Sequence, residues 1–85
     1  MGCRISYEKE AREDVEAIDD VIAVRILQKI KWYATQSNPL WFASRMKKRK
    51  IGTYKFRVGD WRVIFDYVDG TIIVLRIGHR STIYK

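Results

Sequence analysis

The 85-residue chain has one cysteine, one histidine and one proline. A lone cysteine, Cys3, closes no disulfide within the chain, and with His79 as the sole imidazole there is no Cys/His cluster from which a metal site could be built. No apolar run approaches the ~20 residues that a membrane-spanning helix needs, and no secretory signal is recognisable. The expectation is a cytoplasmic protein with no membrane role, no metal and no cofactor. Low-complexity segments are also missing. With 47% hydrophobic and 32% charged residues, the composition is that of a folded chain, and residues 1–85 are expected to form a single domain, since a chain this short builds one core.

Acidic residues are scarce after the first quarter of the chain. Residues 1–20 hold seven carboxylates against three basic side chains, whereas residues 21–85 hold three against fourteen, within a formal net charge of +7. The C-terminal part is a polycation. Charge of that sign attracts nucleic acid, an anionic membrane surface or an acidic protein, and does not choose among them.

The N-terminal hexapeptide Met1-Gly2-Cys3-Arg4-Ile5-Ser6 matches a short N-myristoylation pattern. Alternation of Cys3, Ile5 and Tyr7 with Arg4 and Ser6 favours a half-buried first strand instead. Ala11, Val15 and Ile18, then Ile22, Ile26, Ile30 and Tyr33, recur at spacings of three and four. This predicts two amphipathic helices, over 8–18 and 21–36, divided at Asp19-Asp20, where the Asp before Val21 caps the second helix. Asn38-Pro39 ends that pattern. Leu40 to Met46 is expected to form one short linker helix with Pro39 at its first position.

Beyond Gly52 the period becomes two. Tyr54, Phe56 and Val58 alternate with Lys55 and Arg57, and Trp61, Val63, Phe65 and Tyr67 alternate with Arg62, Ile64 and Asp66. Gly59-Asp60 suits a two-residue type II′ loop and Asp69-Gly70 a type I′ loop. Thr71 to Ile77 is apolar almost throughout and is expected to be a central strand covered on both faces. The predicted fold class is α+β: an N-terminal strand, an αα-hairpin, a short linker helix and an antiparallel β-meander, with the helices packed on one face of the sheet.

A two-residue loop at 59-60 sets Val58 opposite Trp61 and Arg57 opposite Arg62. Like charges placed so repel and call for a counterion, for which phosphate is well matched to two guanidinium forks. Lys55 lies on the same face, with Ile64 as an apolar floor and Asp66 as an acidic partner; a solvated strand face paired to Asp66 is the alternative reading of the same pattern. By contrast, the loop register at Asp69-Gly70 sets Arg76 opposite Val63, on the Trp61 face and outside this patch. Past the central strand, His79, Arg80 and Tyr84 bring an imidazole, a guanidinium and a phenol to the end of the sheet. Such a set suits RNA cleavage by the substrate's own 2′-hydroxyl, which needs proton removal, charge stabilisation and protonation of the leaving oxygen. Lys47, Lys48, Arg49 and Lys50 extend the positive surface and are read as RNA-attaching residues.

The run Gly52 to Phe65, with Val74-Leu75-Arg76-Ile77-Gly78-His79-Arg80 and Ile83-Tyr84, resembles the RelE branch of the RelE/ParE toxin superfamily across almost the whole chain. That resemblance implies a RelE/ParE-like domain over 1–85 and the toxin of a type II toxin-antitoxin pair. It further implies metal-independent, ribosome-dependent mRNA cleavage in the A site, and a RelB-like antitoxin partner. By position it places Lys55, Arg57, Arg62, Arg80 and Tyr84 at the catalytic site, with His79 as an additional candidate. Some members have a second lysine where Arg57 stands, and a guanidinium does not give up its proton. Lys55, His79, water or ribosomal RNA are the remaining proton acceptors. A ParE-like inhibitor of DNA gyrase and a plain basic RNA-binding domain are the alternatives.

Overall fold

The computed structural model describes residues 2–46 and 52–84; the Lys47 to Lys50 run lies outside the described residues. The alternating N-terminal segment forms β1 (Arg4–Tyr7), followed by α1 (Lys9–Ala17) and α2 (Asp20–Thr35). The break between the helices is where the paired aspartates predict it, one residue displaced. Asp19, not Asp20, is the cap: its backbone is non-helical (φ −49, ψ 135) and its carboxylate accepts from the Val21 N–H at 3.2 Å. Asp20 instead enters the first turn, where a negative charge suits the helix dipole.

The predicted linker helix is only a single 3-10 turn over Pro39–Phe42, capped by the Asn38 side chain. Ser44–Arg45 then form a short edge strand, β2, opposite Lys55 and Tyr54. The open edge of β3 (Tyr54–Val58) supplies backbone partners that outcompete another helical turn, and Met46 N–H adds a 2.8 Å bond to Thr53 carbonyl. The sheet continues through β4 (Trp61–Val68) and β5 (Thr71–His79), in the spatial order β1-β5-β4-β3-β2. β1 joins it parallel to β5.

Tyr54, Phe56 and Val58 pair with Phe65, Val63 and Trp61 on the face that receives the helices. Ile26, Ile30 and Tyr33 of α2 pack there against Phe56, Val63, Phe65, Ile72, Val74 and Ile77. Tyr33, Phe56 and Phe65 form a continuous stack, with ring centroids 4.1 and 4.2 Å apart. β5 is an interior strand, although Ile73 and Leu75 on its second face are only half-buried. Cys3 is tied in at the other edge, its N–H 2.7 Å from Ala34 carbonyl and its thiol 3.5 Å from the Tyr67 hydroxyl.

Both tight loops have the backbone their residues demand. Gly59 has φ +60, and Asp69 and Gly70 have φ +49 and +74, the paired left-handed conformation of a type I′ turn. The first loop sets the predicted register, with Arg57 opposite Arg62. The second does so only as far as Phe65↔Val74. A β-bulge then shifts the ladder, so that Ile64 faces Arg76, Val63 faces Ile77, and Arg62 faces Gly78. Arg76 is therefore opposite Ile64 rather than Val63. It still lies outside the basic patch, because Asp14 of α1 holds it through Nε at 2.8 Å and Nη2 at 3.1 Å. That ion pair raises the Arg76 pKa above its ordinary value, chiefly through the Asp14 hydrogen bond. Asp14 also accepts from Ile77 N–H at 2.9 Å, closing the β5 edge beyond β1.

Candidate functional site

The side chains that alternate away from the helices are Lys55 and Arg57 on β3, and Arg62 and Ile64 on β4. Ile64 is fully buried, packed beside Leu75 beneath Gly52, and does not line the cleft as the expected apolar floor. The facing arginines avoid a direct clash because Arg62 bends back over the loop: its Nη1 donates to the carbonyls of Gly59 and Trp61, each at 2.9 Å. This orients one edge of that guanidinium and leaves its other nitrogens for an anion. Arg57 is exposed, and its side chain makes no hydrogen bond or ion pair among the described residues. Asp66, expected to neutralise the patch, is engaged elsewhere. Its Oδ1 accepts from Thr53 N–H at 2.9 Å, pinning the chain that enters β3.

The C-terminal segment folds back over this face. Thr82 and Ile83 N–H groups donate to the His79 carbonyl at 3.0 and 2.9 Å, forming a tight turn. Ile83 is thereby buried on Gly78. Its turn brings Tyr84 beside Lys55, whose ammonium lies 5.1 Å from the ring centroid. Arg80 is held at the hairpin by its N–H to Asp60 carbonyl (2.8 Å) and by an exposed ion pair between its Nε and the Asp60 carboxylate (3.3 Å).

A cleft of about 420 Å³ results, lined by Lys55, Arg57, Arg62, His79, Arg80, Ser81 and Tyr84. All five predicted catalytic positions and His79 therefore converge. Ser81 is the addition that sequence reasoning missed, and Asp60 had been read only as a turn residue. The signal for Ser81 is its spacing: a hydroxyl two residues after His79 reaches back to the ring. Ser81 N–H donates to His79 Nδ1 at 3.2 Å, and its Oγ lies 2.8 Å from the same nitrogen. Nδ1 thus acts as acceptor, which places the proton of the neutral ring on Nε2. Held this way, the imidazole presents its Nε2 edge as a donor for an anion. Its ring edge also packs on Trp61, at 5.4 Å between centroids.

Among the described residues no carboxylate lines the cleft. Three guanidinium groups and an ammonium can bind a phosphodiester and stabilise the extra negative charge of a pentacoordinate phosphorus, while an aromatic ring at the rim orients a base. Among the described residues no group of His, Cys, Asp or Glu is arranged to hold a metal ion, and no helix is long and apolar enough to cross a membrane.

Residues 5–84 match the sequence profile described as the ParE toxin of the type II toxin-antitoxin system, parDE. No curated protein matches the chain. Among solved structures, the RelBE2 toxin-antitoxin complex of Mycobacterium tuberculosis aligns at TM-score 0.76 and 21% identity, covering 94% of this chain and 100% of that one. The archaeal RelE-RelB complex of Pyrococcus horikoshii aligns at TM-score 0.73 and 21% identity, covering 96% and 99%. A copper-bound mutant toxin from Helicobacter pylori aligns at TM-score 0.61 and 15% identity, covering 95% and 98%. At these identities the likeness is one of fold.

Proposed function

Since the chain belongs to the ParE toxin family of type II toxin-antitoxin systems, we propose that it is a toxin that cleaves mRNA in the ribosomal A site, acting as a single domain. The observation that carries this reading is the convergence of Lys55, Arg57, Arg62, Arg80 and Tyr84 in one cleft that no carboxylate of the described residues lines. The 2′-oxygen attacks the adjacent phosphorus as the bond to the 5′-oxygen breaks, leaving a 2′,3′-cyclic phosphate and a 5′-hydroxyl. Arg57 and Arg62 grip the non-bridging oxygens and stabilise their added charge. Arg80 donates to the leaving 5′-oxygen, which takes its proton from solvent, and Tyr84 orients the base. In its neutral amine form Lys55 takes the 2′-proton and becomes the ammonium, in preference to His79, whose Nδ1 is already occupied by Ser81.

The reading places the protein in the cytoplasm with the ribosome and mRNA. Lys47, Lys48, Arg49 and Lys50 add electrostatic attachment to RNA. The two aligned RelB-containing complexes support a RelB-like antitoxin as partner, one whose acidic segments would neutralise the cleft. Profile membership in the ParE group favours a second reading, inhibition of DNA gyrase without cleavage. In vitro translation with purified protein, followed by primer extension, tests the first. Wild-type protein should produce breaks within codons on ribosome-bound mRNA, and Arg62→Ala and Arg80→Ala should abolish them. Intact mRNA combined with inhibited gyrase supercoiling would establish the second reading instead.

A further inference from the structure

A second cleft, of about 440 Å³, opens between α2 and the β3-β4 hairpin, where Arg25, Gln28, Lys29 and Trp32 face Arg57. Its origin is the shortness of β2, which pairs with Tyr54 and Lys55 only and leaves the β3 edge at Arg57 without a strand neighbour. α2 runs past that edge. The Tyr33 hydroxyl donates to the Arg57 carbonyl at 3.3 Å, and an Arg25 guanidinium nitrogen lies 3.4 Å from where a Cβ on Gly59 would stand. Arg25, Lys29 and Trp32 follow the i, i+4, i+7 spacing of one helix face.

Three properties identify the occupant. Among the described residues the lining includes Arg25, Lys29 and Arg57 and no carboxylate, so it attracts an anion. Trp32 is 45% exposed, although it is large and apolar. Lys29 rests its ammonium 4.5 Å from the Trp32 ring centroid, so a phosphate that draws the lysine away uncovers an aromatic face at the same spot. Cations that track a backbone, interleaved with an aromatic platform, are the means by which single-stranded nucleic acid is bound without sequence readout. Arg57 lines both this cleft and the one holding Arg62 and Tyr84. A strand whose scissile phosphate sits at Arg57 and Arg62 would therefore meet the α2 cleft as it leaves.

We propose that the α2 cleft is a subsite for the single-stranded RNA flanking the cleaved bond, with Arg25 and Lys29 holding a neighbouring phosphate and Trp32 stacking on a base. This inference rests on the mRNA-cleavage reading, and it adds a second contact that would extend the length of RNA engaged. An acidic peptide is the competing occupant.

The test uses fluorescence anisotropy with a labelled 12-nucleotide RNA and a trinucleotide, both 2′-O-methylated so that they cannot be cut. The Arg25→Ala/Lys29→Ala variant should bind the 12-mer about tenfold more weakly, with its log-log salt slope lowered by about 0.7, the contribution of the one single-strand phosphate contact it loses. Its binding of the trinucleotide should stay within twofold of wild type. Trp32→Ala should lose about fivefold or more on the 12-mer, and Trp32→Phe should retain most of the affinity. Equal 12-mer affinity in wild type and the double variant, or no 12-mer binding by wild type, overturns the subsite. So does a wild-type affinity for a labelled poly-glutamate peptide, run in the same assay, that the double variant loses while keeping its 12-mer affinity. The cleavage reading is judged separately by ribosomal primer extension with Arg62→Ala, so breaks that persist alongside a failed anisotropy result would reject the subsite alone.

Discussion

Ile83 occupies the space that a side chain at Gly78 would need: a Cβ there would lie 2.7 Å from Ile83 Cδ1. Gly78 stands opposite Arg62 because of the bulge between Ile64 and Phe65. An uninterrupted ladder from the Asp69-Gly70 turn would have put Ile77 there, and the C-terminal turn could not have settled onto that face. Gly78→Val should lift Ile83 and carry Arg80 and Tyr84 away from Lys55. Cleavage should fall at least tenfold, while Ile83→Ala should cost about 2 kcal/mol, at the low end for a large-to-small change because the site is peripheral. Chemical denaturation beside primer extension checks both. Wild-type cleavage by a folded Gly78→Val would separate the tail from the chemistry.

Arg57 and Arg62 face each other across the hairpin without a carboxylate between them. Removing one relieves repulsion, so Arg57→Ala should leave stability unchanged or raise it by a few tenths of a kcal/mol. The same variant should lose most of its cleavage. Urea midpoints measured with cleavage rates decide the matter, and a matched loss of stability would mean that Arg57 supports the fold instead.

Ser81 occupies the one imidazole nitrogen able to accept a proton in the tautomer that the site holds. His79→Gln should therefore keep the shape of the pH-rate profile and lose only the contribution of one donor. A flattened profile would assign proton transfer to His79 and release Lys55 from that role.

Asp14 serves both the Arg76 guanidinium and the Ile77 N–H. Asp14→Ala orphans a backbone donor and should cost about 1.5–3 kcal/mol, the range for hydrogen bonds to a charged group. Arg76→Ala should cost only about 1 kcal/mol, because that side chain is 44% exposed and the freed carboxylate keeps Ile77. Denaturation of the two variants should rank them in that order, with cleavage unaffected in either.

Burial raises the Tyr33 phenol above its ordinary value of 10.0. Burial also raises Tyr7, and Tyr67 is raised chiefly by its hydrogen bond with Cys3. A group whose folded-state pKa is raised keeps the protein stabilised below the unfolded value and loses that contribution as pH climbs through the folded value. Stability should therefore be flat toward pH 10 and fall above it. Tyr33→Phe should shallow that fall, at a cost of about 1 kcal/mol or less at neutral pH for the lost bond to the Arg57 carbonyl. Melting curves between pH 8 and 11 would show it.

Much of the fold was legible because its signals are local. Helical spacing located α1 and α2, alternation located β1, β3 and β4, and Gly59-Asp60 set the Arg57 to Arg62 pairing. The errors fall where a distant partner decides. Ser44–Arg45 became strand because β3 had an open edge, and Asp66 left the basic patch because Thr53 N–H claimed it. One error is local instead: Asp19 rather than Asp20 caps α2 because Asp20 has already entered helical backbone and Asp19 has not. Ser81 went unnoticed because its part depends on the turn that folds the tail back to His79.

By itself, the amino-acid order determined the elements, the segregation of charge and the like-charged face of the hairpin, since each follows from neighbours within one turn or one loop. Only the tertiary structure decided that the face becomes a cleft. The bulge that sets Gly78 opposite Arg62, the seating of Ile83 on that glycine and the passage of α2 along the uncovered β3 edge all depend on side-chain volume and backbone pairing between segments far apart in the chain.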